Sequence, residues 1–341
     1  MNNETRKETQ VLPKDVRYVG ADDLTLPLFE NQYPVQPMGV SYNSYLILDE
    51  KIAVMDSVDA RAADEWLAKL AHELDGRSPD YLVISHMEPD HSGSILRLAE
   101  KYQEMKLVGN TKTFTMLRQF FGAKAPTDDR LLEVGEGETL PLGAHTLHFM
   151  LAPMVHWPEV MVAYEETEKL LFSADAFGRF GSLGRTANAP WAPQARRYYY
   201  NIVGKYGAQV QALLKKASAL EIETICPLHG PVLTGEALGE ALRLYDLWSR
   251  WQSESPDDIL LAHASIHGNT ARAAELFKQK LEAKGARVTL CDLTTTEVSY
   301  AVANAFYCGK LVLACSTYDG GLFPPMEEFL SHLQAKGFRD R

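Results

Sequence analysis

Short apolar runs that end in turn or polar residues recur along the chain as far as Trp251. Such runs predict strands at Val16–Val19, Tyr42–Leu48, Lys51–Asp56, Tyr81–Ile84, Leu107–Asn110, Leu131–Val134, Thr146–Met150, Val160–Tyr164, Leu170–Phe172 and Thr224–Cys226. Stretches with apolar residues three and four positions apart predict helices at Ala60–Leu74, Ile95–Tyr102, Thr111–Phe121, Arg196–Leu220 and Glu236–Trp251.

The strands between Leu131 and Phe172 follow one another with only turn residues between them, which predicts a run of antiparallel pairs. Elsewhere in this part of the chain, strands alternate with helices. We therefore expect an α/β fold in which two sheets pack face to face with helices outside, an αβ/βα sandwich.

A second pattern begins after the polar, acidic stretch Ser253–Asp258, which is the best candidate for a linker. Beyond it, strands and helices alternate regularly, which predicts a parallel sheet. The strands are expected at Ile259–Ala264, Arg287–Cys291 and Lys310–Cys315. We predict two domains, residues 1–253 and residues 257–341, in agreement with the length of the chain.

A dense group of potential metal ligands directly follows the predicted strand that ends at Ile84: His86, Glu88, Asp90 and His91. The alternative is that Asp90 or Ser92 caps the following helix and that the histidines are surface groups. Unpaired charges between two buried elements are costly, however, and a bound cation removes that cost.

Three further candidates each follow a short apolar run: His156, Asp175 and His229. Taken singly, they could be a packed histidine, a turn-forming aspartate and a strand-end histidine. Taken together with the first group they make seven ligands, too many for one tetrahedral ion and suited to two ions that share a carboxylate. The short side chain of Asp175 is suited to the shared position.

The charge and the residue composition of the chain limit the kinds of partner that it can bind. A formal net charge of −11 argues against nucleic acid or an anionic membrane as the main partner, and no apolar run is long enough to cross a bilayer. The polar N-terminus does not resemble a signal peptide. The four cysteines form no CxxC pair, so a zinc ribbon is excluded and reduced thiols in a cytoplasmic setting are expected: Cys226, Cys291, Cys308 and Cys315.

The order of these candidate ligands resembles the metallo-β-lactamase superfold. The hydrolases of that superfold generally have histidine where this chain has Glu88, and the glutamate form resembles the flavodiiron proteins. Carboxylate ligands favour iron over zinc. The resemblance implies that one iron is held by His86, Glu88 and His156, and that a second is held by Asp90, His91 and His229. Asp175 would bridge the two irons.

Two loops in the second part of the chain each follow a buried strand: Ser265, Ile266, His267, Gly268, Asn269 and Thr270; and Ser316, Thr317, Tyr318, Asp319 and Gly320. The first loop could simply be a helix start capped by Thr270, or it could bind an anion at a helix N-terminus. Both loops resemble the FMN-binding loops of flavodoxins, with Tyr318 placed to stack on the flavin.

The flavodoxin-like pattern supplies three of the roughly five strands that such a fold uses. We therefore expect a partial flavodoxin-like parallel α/β domain, cut off at its C-terminal side. Its FMN site would lack a third contact loop.

The resemblance implies an oxidoreductase that reduces dioxygen to water or nitric oxide to nitrous oxide. A rubredoxin-like donor would supply electrons through FMN, and the subunits would form a head-to-tail homodimer. Trp157 and one of Tyr198, Tyr199 and Tyr200 would enclose the pocket, with Tyr199 as the candidate proton donor; core packing is the alternative for them. The rival functions are a dizinc hydrolase and a fragment without electron entry.

Overall fold

A computed structural model of the chain describes residues 12–339. The polar N-terminal segment and the last two residues lie outside this range. Contacts divide the chain into two compact units. The first contains the residues up to Ala195 together with Ala212–Leu242, and the second contains Arg196–Gln211 together with the residues from Arg243 onwards. The division into domains 1–253 and 257–341 stays a prediction from the sequence pattern.

The first unit contains two six-stranded sheets. The first sheet has the spatial order Val16–Tyr18, Tyr45–Ile47, Ala53–Met55, Tyr81–Val83, Lys106–Gly109 and Leu131–Glu133. The second has the order Thr139–Pro141, Thr146–Leu151, Met161–Glu165, Leu170–Phe172, Thr224–Cys226 and Leu233–Thr234. Ala21–Asp23 pairs antiparallel with Val40–Tyr42, and the segment between these two strands contains a short hairpin of Leu28–Phe29 and Tyr33–Pro34.

The core of this unit lies between the two sheets. Ile47, Met55 and Val83 from the first sheet and Phe149 and Phe172 from the second belong to one buried cluster. Alternate residues of a strand face opposite sides of its sheet, so each sheet contributes one apolar face to this cluster. The predicted sandwich is therefore confirmed.

Helical segments lie between several of the strands of the chain as far as Ser249. The α-helices are Ala63–Leu74, Pro89–Ser92, Ile95–Lys101, Thr111–Phe121, Leu183–Thr186, Trp191–Tyr198, Gly207–Ala217 and Gly235–Ser249. Single 3₁₀ turns lie at Ala60–Ala62, Gly122–Lys124, Asp128–Arg130 and Gly204–Tyr206. Across residues 12–339, none of the helices combines the length and the apolar character needed to cross a membrane.

The strand Leu131–Glu133 was wrongly expected to begin the antiparallel run. It lies in the first sheet and pairs in parallel with Lys106–Gly109. The helix Thr111–Phe121 connects these two strands, so they form a strand–helix–strand unit, which places neighbouring strands in parallel. The three strands Thr146–Leu151, Met161–Glu165 and Leu170–Phe172 are antiparallel as predicted.

Two other predicted elements are interrupted. The strand expected over Tyr42–Leu48 breaks at Asn43 and Ser44, whose side chains bond to carbonyl groups of other loops. The helix expected over Arg196–Leu220 contains a π-helical segment, Tyr199–Val203, in which every residue is buried. A regular amphipathic helix exposes one face and cannot bury five consecutive residues in this way.

The second unit contains a parallel sheet with the order Val288–Asp292, Ser255–Ala264 and Cys308–Cys315. Its helices are Asn269–Glu282, Val298–Tyr307 and Pro324–Ala335. The linker prediction is partly wrong, because the strand already begins at Ser255, which pairs with Cys308. Asp257 and Asp258 form ion pairs with Lys310 and Arg287 of neighbouring segments.

Candidate metal centre

The residues just after the strand Tyr81–Val83 are held by Asp56, which directly follows the neighbouring strand Ala53–Met55. Asp56 Oδ1 accepts a hydrogen bond of 2.7 Å from the backbone N–H of Ser85. The chain then turns into the short helix Pro89–Ser92, which starts with proline because an N-terminal helix position needs no N–H. This turn and the preceding loop carry the first four candidate ligands on one short segment.

The structure brings all seven predicted metal ligands into two adjacent groups. The ligand atoms within each group lie within 4.8 Å of one another. We call them the Glu88 group, consisting of His86, Glu88, His156 and Asp175, and the Asp90 group, consisting of Asp90, His91 and His229.

Asp175 lies between the two groups and presents one oxygen to each. Its Oδ2 is 3.1 Å from His156 Nε2 and 3.4 Å from His86 Nε2. Its Oδ1 is 3.2 Å from His91 Nε2 and 3.5 Å from His229 Nε2. This is the arrangement that a carboxylate bridging two metal ions requires.

Each group also has a carboxylate of its own. Glu88 Oε2 is 3.1 Å from His156 Nε2, and Asp90 Oδ2 is 3.3 Å from His229 Nε2. Each metal position is therefore surrounded by two imidazole nitrogens, one unshared carboxylate and one oxygen of Asp175. Mixed nitrogen and oxygen ligands of this kind suit non-haem iron.

The electrostatics of the centre favour cations. Asp175 is almost fully buried, and its Oδ1 and both carboxylate oxygens of Asp90 accept no hydrogen bond from the described residues. Burial lowers the pKa of His156, but hydrogen bonds to Asp175 and Glu88 outweigh it and raise the pKa to about 9. Two buried carboxylates, Asp90 and Asp175, together with the partly buried Glu88, give this site a concentration of negative charge that fits two metal ions.

Asn43 fixes the loop that carries His229, a role that its position in the sequence does not indicate. Its Nδ2 donates to the carbonyl oxygens of Pro227 and Gly230 at 2.8 and 2.7 Å, and its Oδ1 accepts from Tyr18 Oη at 3.0 Å. The Nδ1 of His229 donates to the carbonyl oxygen of Ser41 at 2.7 Å, so Nε2 is directed towards the ligand group.

We expect Asn43→Ala to lower the free energy of unfolding by about 1–3 kcal/mol, because it leaves a buried carbonyl group without its donor. Urea unfolding of the metal-free protein measures the free energy of unfolding. Exposed Asn188 provides the matched control, and Asn188→Ala should change stability by no more than about 0.5 kcal/mol. An Asn43→Ala variant as stable as the control would contradict the assignment.

A pocket of about 470 Å³ adjoins the centre, and Glu88 and Asp90 form part of its wall. Glu30, at the tip of the hairpin after Leu28–Phe29, also lines it and was not predicted. Desolvation raises the pKa of Glu30 to about 7, and the charge of Glu88 contributes to the shift. The ring of Trp157 contacts His86 edge-on, with 5.3 Å between ring centroids.

Tyr199 lies in the second unit, inside an aromatic cluster. Its ring contacts those of Tyr200, Tyr245 and Trp248, with centroid distances of 5.2, 5.0 and 5.3 Å. Burial raises the pKa of its hydroxyl well above the ordinary value. These contacts are those of a packed core residue, and its role as a proton donor stays a prediction.

The two loops that resemble flavodoxin loops meet in the second unit. Ser316 Oγ is 2.9 Å from Thr270 Oγ1 and 3.5 Å from the backbone nitrogen of Ile266. Within the first loop, Gly268 has a φ of +82°, which suits glycine, and the helix Asn269–Glu282 begins directly after it. Ser265 Oγ is buried without a hydrogen bond among the described residues, as a phosphate-binding donor would be.

The second loop forms a small hairpin between Thr317–Tyr318 and Gly321–Leu322. Asp319 and Gly320 both have positive φ, at the two central positions of a tight hairpin turn. Tyr318 is 47% exposed, so its ring is accessible for stacking. The residues of both loops therefore fit an FMN phosphate and ring.

Two packed sheets with two ligand groups at their strand ends define a metallo-β-lactamase-like protein that can hold two metal ions. A sequence model described as "ODP family beta lactamase" matches residues 40–230, more than half of the chain. The chain belongs to this family.

Similar proteins cover most of the chain. It is 29% identical to the rubredoxin-oxygen oxidoreductase of Megalodesulfovibrio gigas, over 94% of this chain and 80% of that protein. It is 28% identical to an anaerobic nitric oxide reductase flavorubredoxin of Vibrio vulnificus, over 95% of this chain and 67% of that protein. The crystal structure of the flavodiiron protein from Giardia intestinalis aligns with a TM-score of 0.88 at 28% identity. The alignment covers 95% of this chain and 79% of that one. The resemblance to flavodiiron proteins is confirmed.

Proposed function

We propose that this protein is a flavodiiron oxidoreductase that reduces dioxygen to water, nitric oxide to nitrous oxide, or both. The position of the Asp175 carboxylate between two ligand groups carries this proposal. Relatives named as an oxygen oxidoreductase and as a nitric oxide reductase support it. The residues that would hold the two irons are His86, Glu88 and His156 on one side, Asp90, His91 and His229 on the other, and Asp175 between them.

The irons would supply open coordination positions for the gas and a reversible change of oxidation state. The residues of the protein would bind the irons, orient the gas and enclose the pocket. The three carboxylates would favour the ferric state, because negative charge stabilises the higher oxidation state. The adjoining pocket combines the apolar side chains of Leu26, Leu28 and Phe29 with charged ones that include Glu30, Asp59 and Arg61.

Electron delivery is the second part of the proposal. FMN would bind at Ser265–Thr270 and Ser316–Gly320, and a rubredoxin-like protein would reduce it. Each subunit's flavin would serve the irons of its neighbour in a head-to-tail homodimer. A cytoplasmic setting agrees with the scattered cysteines of the sequence.

The function is tested with protein loaded anaerobically with ferrous iron. We expect about two irons per chain and a flavin absorbance band. We also expect consumption of nitric oxide or dioxygen when a reduced rubredoxin or a chemical reductant is supplied. The chemical reductant keeps the test valid where flavin loading is low.

The same preparation tests the rival dizinc hydrolase, against which Glu88 argues because carboxylate is a harder ligand than imidazole. Two zinc ions per chain, turnover of an ester or lactam, and no gas consumption by the iron-loaded protein would overturn the proposal. Gas consumption that is lost when iron is replaced by zinc would support it.

A further inference from the structure

Glu159 is a buried carboxylate next to the ligand groups. It follows His156 by three residues and is 1% exposed. Its backbone carbonyl accepts a hydrogen bond of 2.6 Å from Asn110 Nδ2, and Asn110 also caps the helix Thr111–Phe121. The side chain therefore starts from a fixed backbone position.

The carboxylate of Glu159 is directed at a ligand. Its Oε1 accepts from His86 Nδ1 at 2.7 Å and from the backbone N–H of Met87 at 2.8 Å. A histidine that donates its Nδ1–H in this way must present the lone pair of Nε2 on the other side of the ring. The Nε2 of His86 is the atom that faces Glu88 and Asp175.

The histidines of the Asp90 group have different partners. His229 donates its Nδ1–H to a neutral backbone carbonyl, that of Ser41. His91 Nδ1 has no hydrogen-bond partner within the described residues. A carboxylate draws the imidazole proton more strongly than a carbonyl does, which makes the ring a more electron-donating ligand. The two metal positions therefore differ in a way that their direct ligands do not reveal.

We propose that Glu159 is a positioning residue that fixes the tautomer of His86 and makes the metal of the Glu88 group the harder of the two to reduce. The inference rests on the proposed diiron function for its redox consequence. In the iron-loaded protein, the metal of the Asp90 group would therefore be reduced more readily than the metal of the Glu88 group.

The redox consequence is tested by titrating the iron-loaded protein and following the mixed-valent state by electron paramagnetic resonance. Glu159→Gln keeps the size of the side chain and an acceptor oxygen but removes the charge. We expect it to shift one of the two reduction equilibria about tenfold towards the reduced form, which is ~59 mV for one electron, and to narrow the gap between the two potentials.

Glu165→Gln is the matched control, because Glu165 is also fully buried but accepts from the backbone N–H groups of Thr167 and Glu168. It should leave both potentials unchanged. A Glu159→Gln protein that contains two irons and has the potentials of the control would overturn the inference. An equal shift of both potentials would also overturn it, because that would be a general charge effect.

A second measurement needs no variant and no iron. In the unaltered protein loaded with zinc as a diamagnetic probe, proton NMR reports the ring N–H groups of bound histidines. We expect the Nδ1–H of His86 to resonate further downfield than that of His229, because it is bonded to a charged acceptor. The reverse order, or equal shifts, would overturn the role of Glu159 while leaving the proposed iron chemistry untouched.

Discussion

Asp175→Ala should weaken the binding of both metal ions at the centre. The two oxygens of this carboxylate lie 3.1–3.5 Å from the ligand nitrogens of the two groups. Its removal takes one ligand from each metal position and one negative charge from a buried site. We expect the iron content after desalting to fall from about two to below about one per chain, and gas reduction to fall by at least about a thousandfold. Elemental analysis and an oxygen or nitric oxide electrode measure these quantities.

Asp64 is the control for this substitution, since it lies on the surface with a side chain that is 89% exposed. Asp64→Ala should retain both irons and full activity. If Asp175→Ala still bound two irons as tightly as the control, the shared-carboxylate centre would be wrong.

Glu88→His should shift the metal preference of the Glu88 group from iron to zinc. The substitution replaces the unshared carboxylate of this group with a third imidazole, and zinc binds imidazole sites more tightly than ferrous iron does. After loading from an equimolar mixture of ferrous iron and zinc, we expect the bound zinc-to-iron ratio to rise by at least about tenfold.

Exposed Glu104 provides the matched substitution, and Glu104→His should leave the ratio unchanged. An unaltered ratio in Glu88→His would mean that ligand hardness does not select the metal here. The preference for iron would then have to come from the geometry of the site.

Much of the candidate centre could be predicted because its residues lie where strands end. Asp175 comes three residues after the strand Leu170–Phe172, and His229 comes three residues after Thr224–Cys226. These two strands are parallel neighbours, so their carboxyl ends meet at one edge of the sheet. A position relative to a strand is local information, which apolar runs in the sequence reveal.

The supporting residues could not be predicted, because their roles depend on contacts distant in sequence. Glu159 follows a proline and has the sequence context of a surface residue, yet it bonds to His86, which lies 73 positions earlier. The apolar pattern places Asn43 inside a strand, but its side chain bonds to carbonyl groups 184 and 187 positions later in the chain. The parallel pairing of Leu131–Glu133 depended in the same way on a partner strand that its own residues do not specify.

We propose that seven side chains hold two irons that share the carboxylate of Asp175. Anomalous diffraction at the iron absorption edge, from crystals of the iron-loaded protein, locates the irons and checks this arrangement. We expect two anomalous peaks about 3.5–4 Å apart, one on each side of Asp175. A single peak, or peaks away from the Glu88 and Asp90 groups, would contradict it.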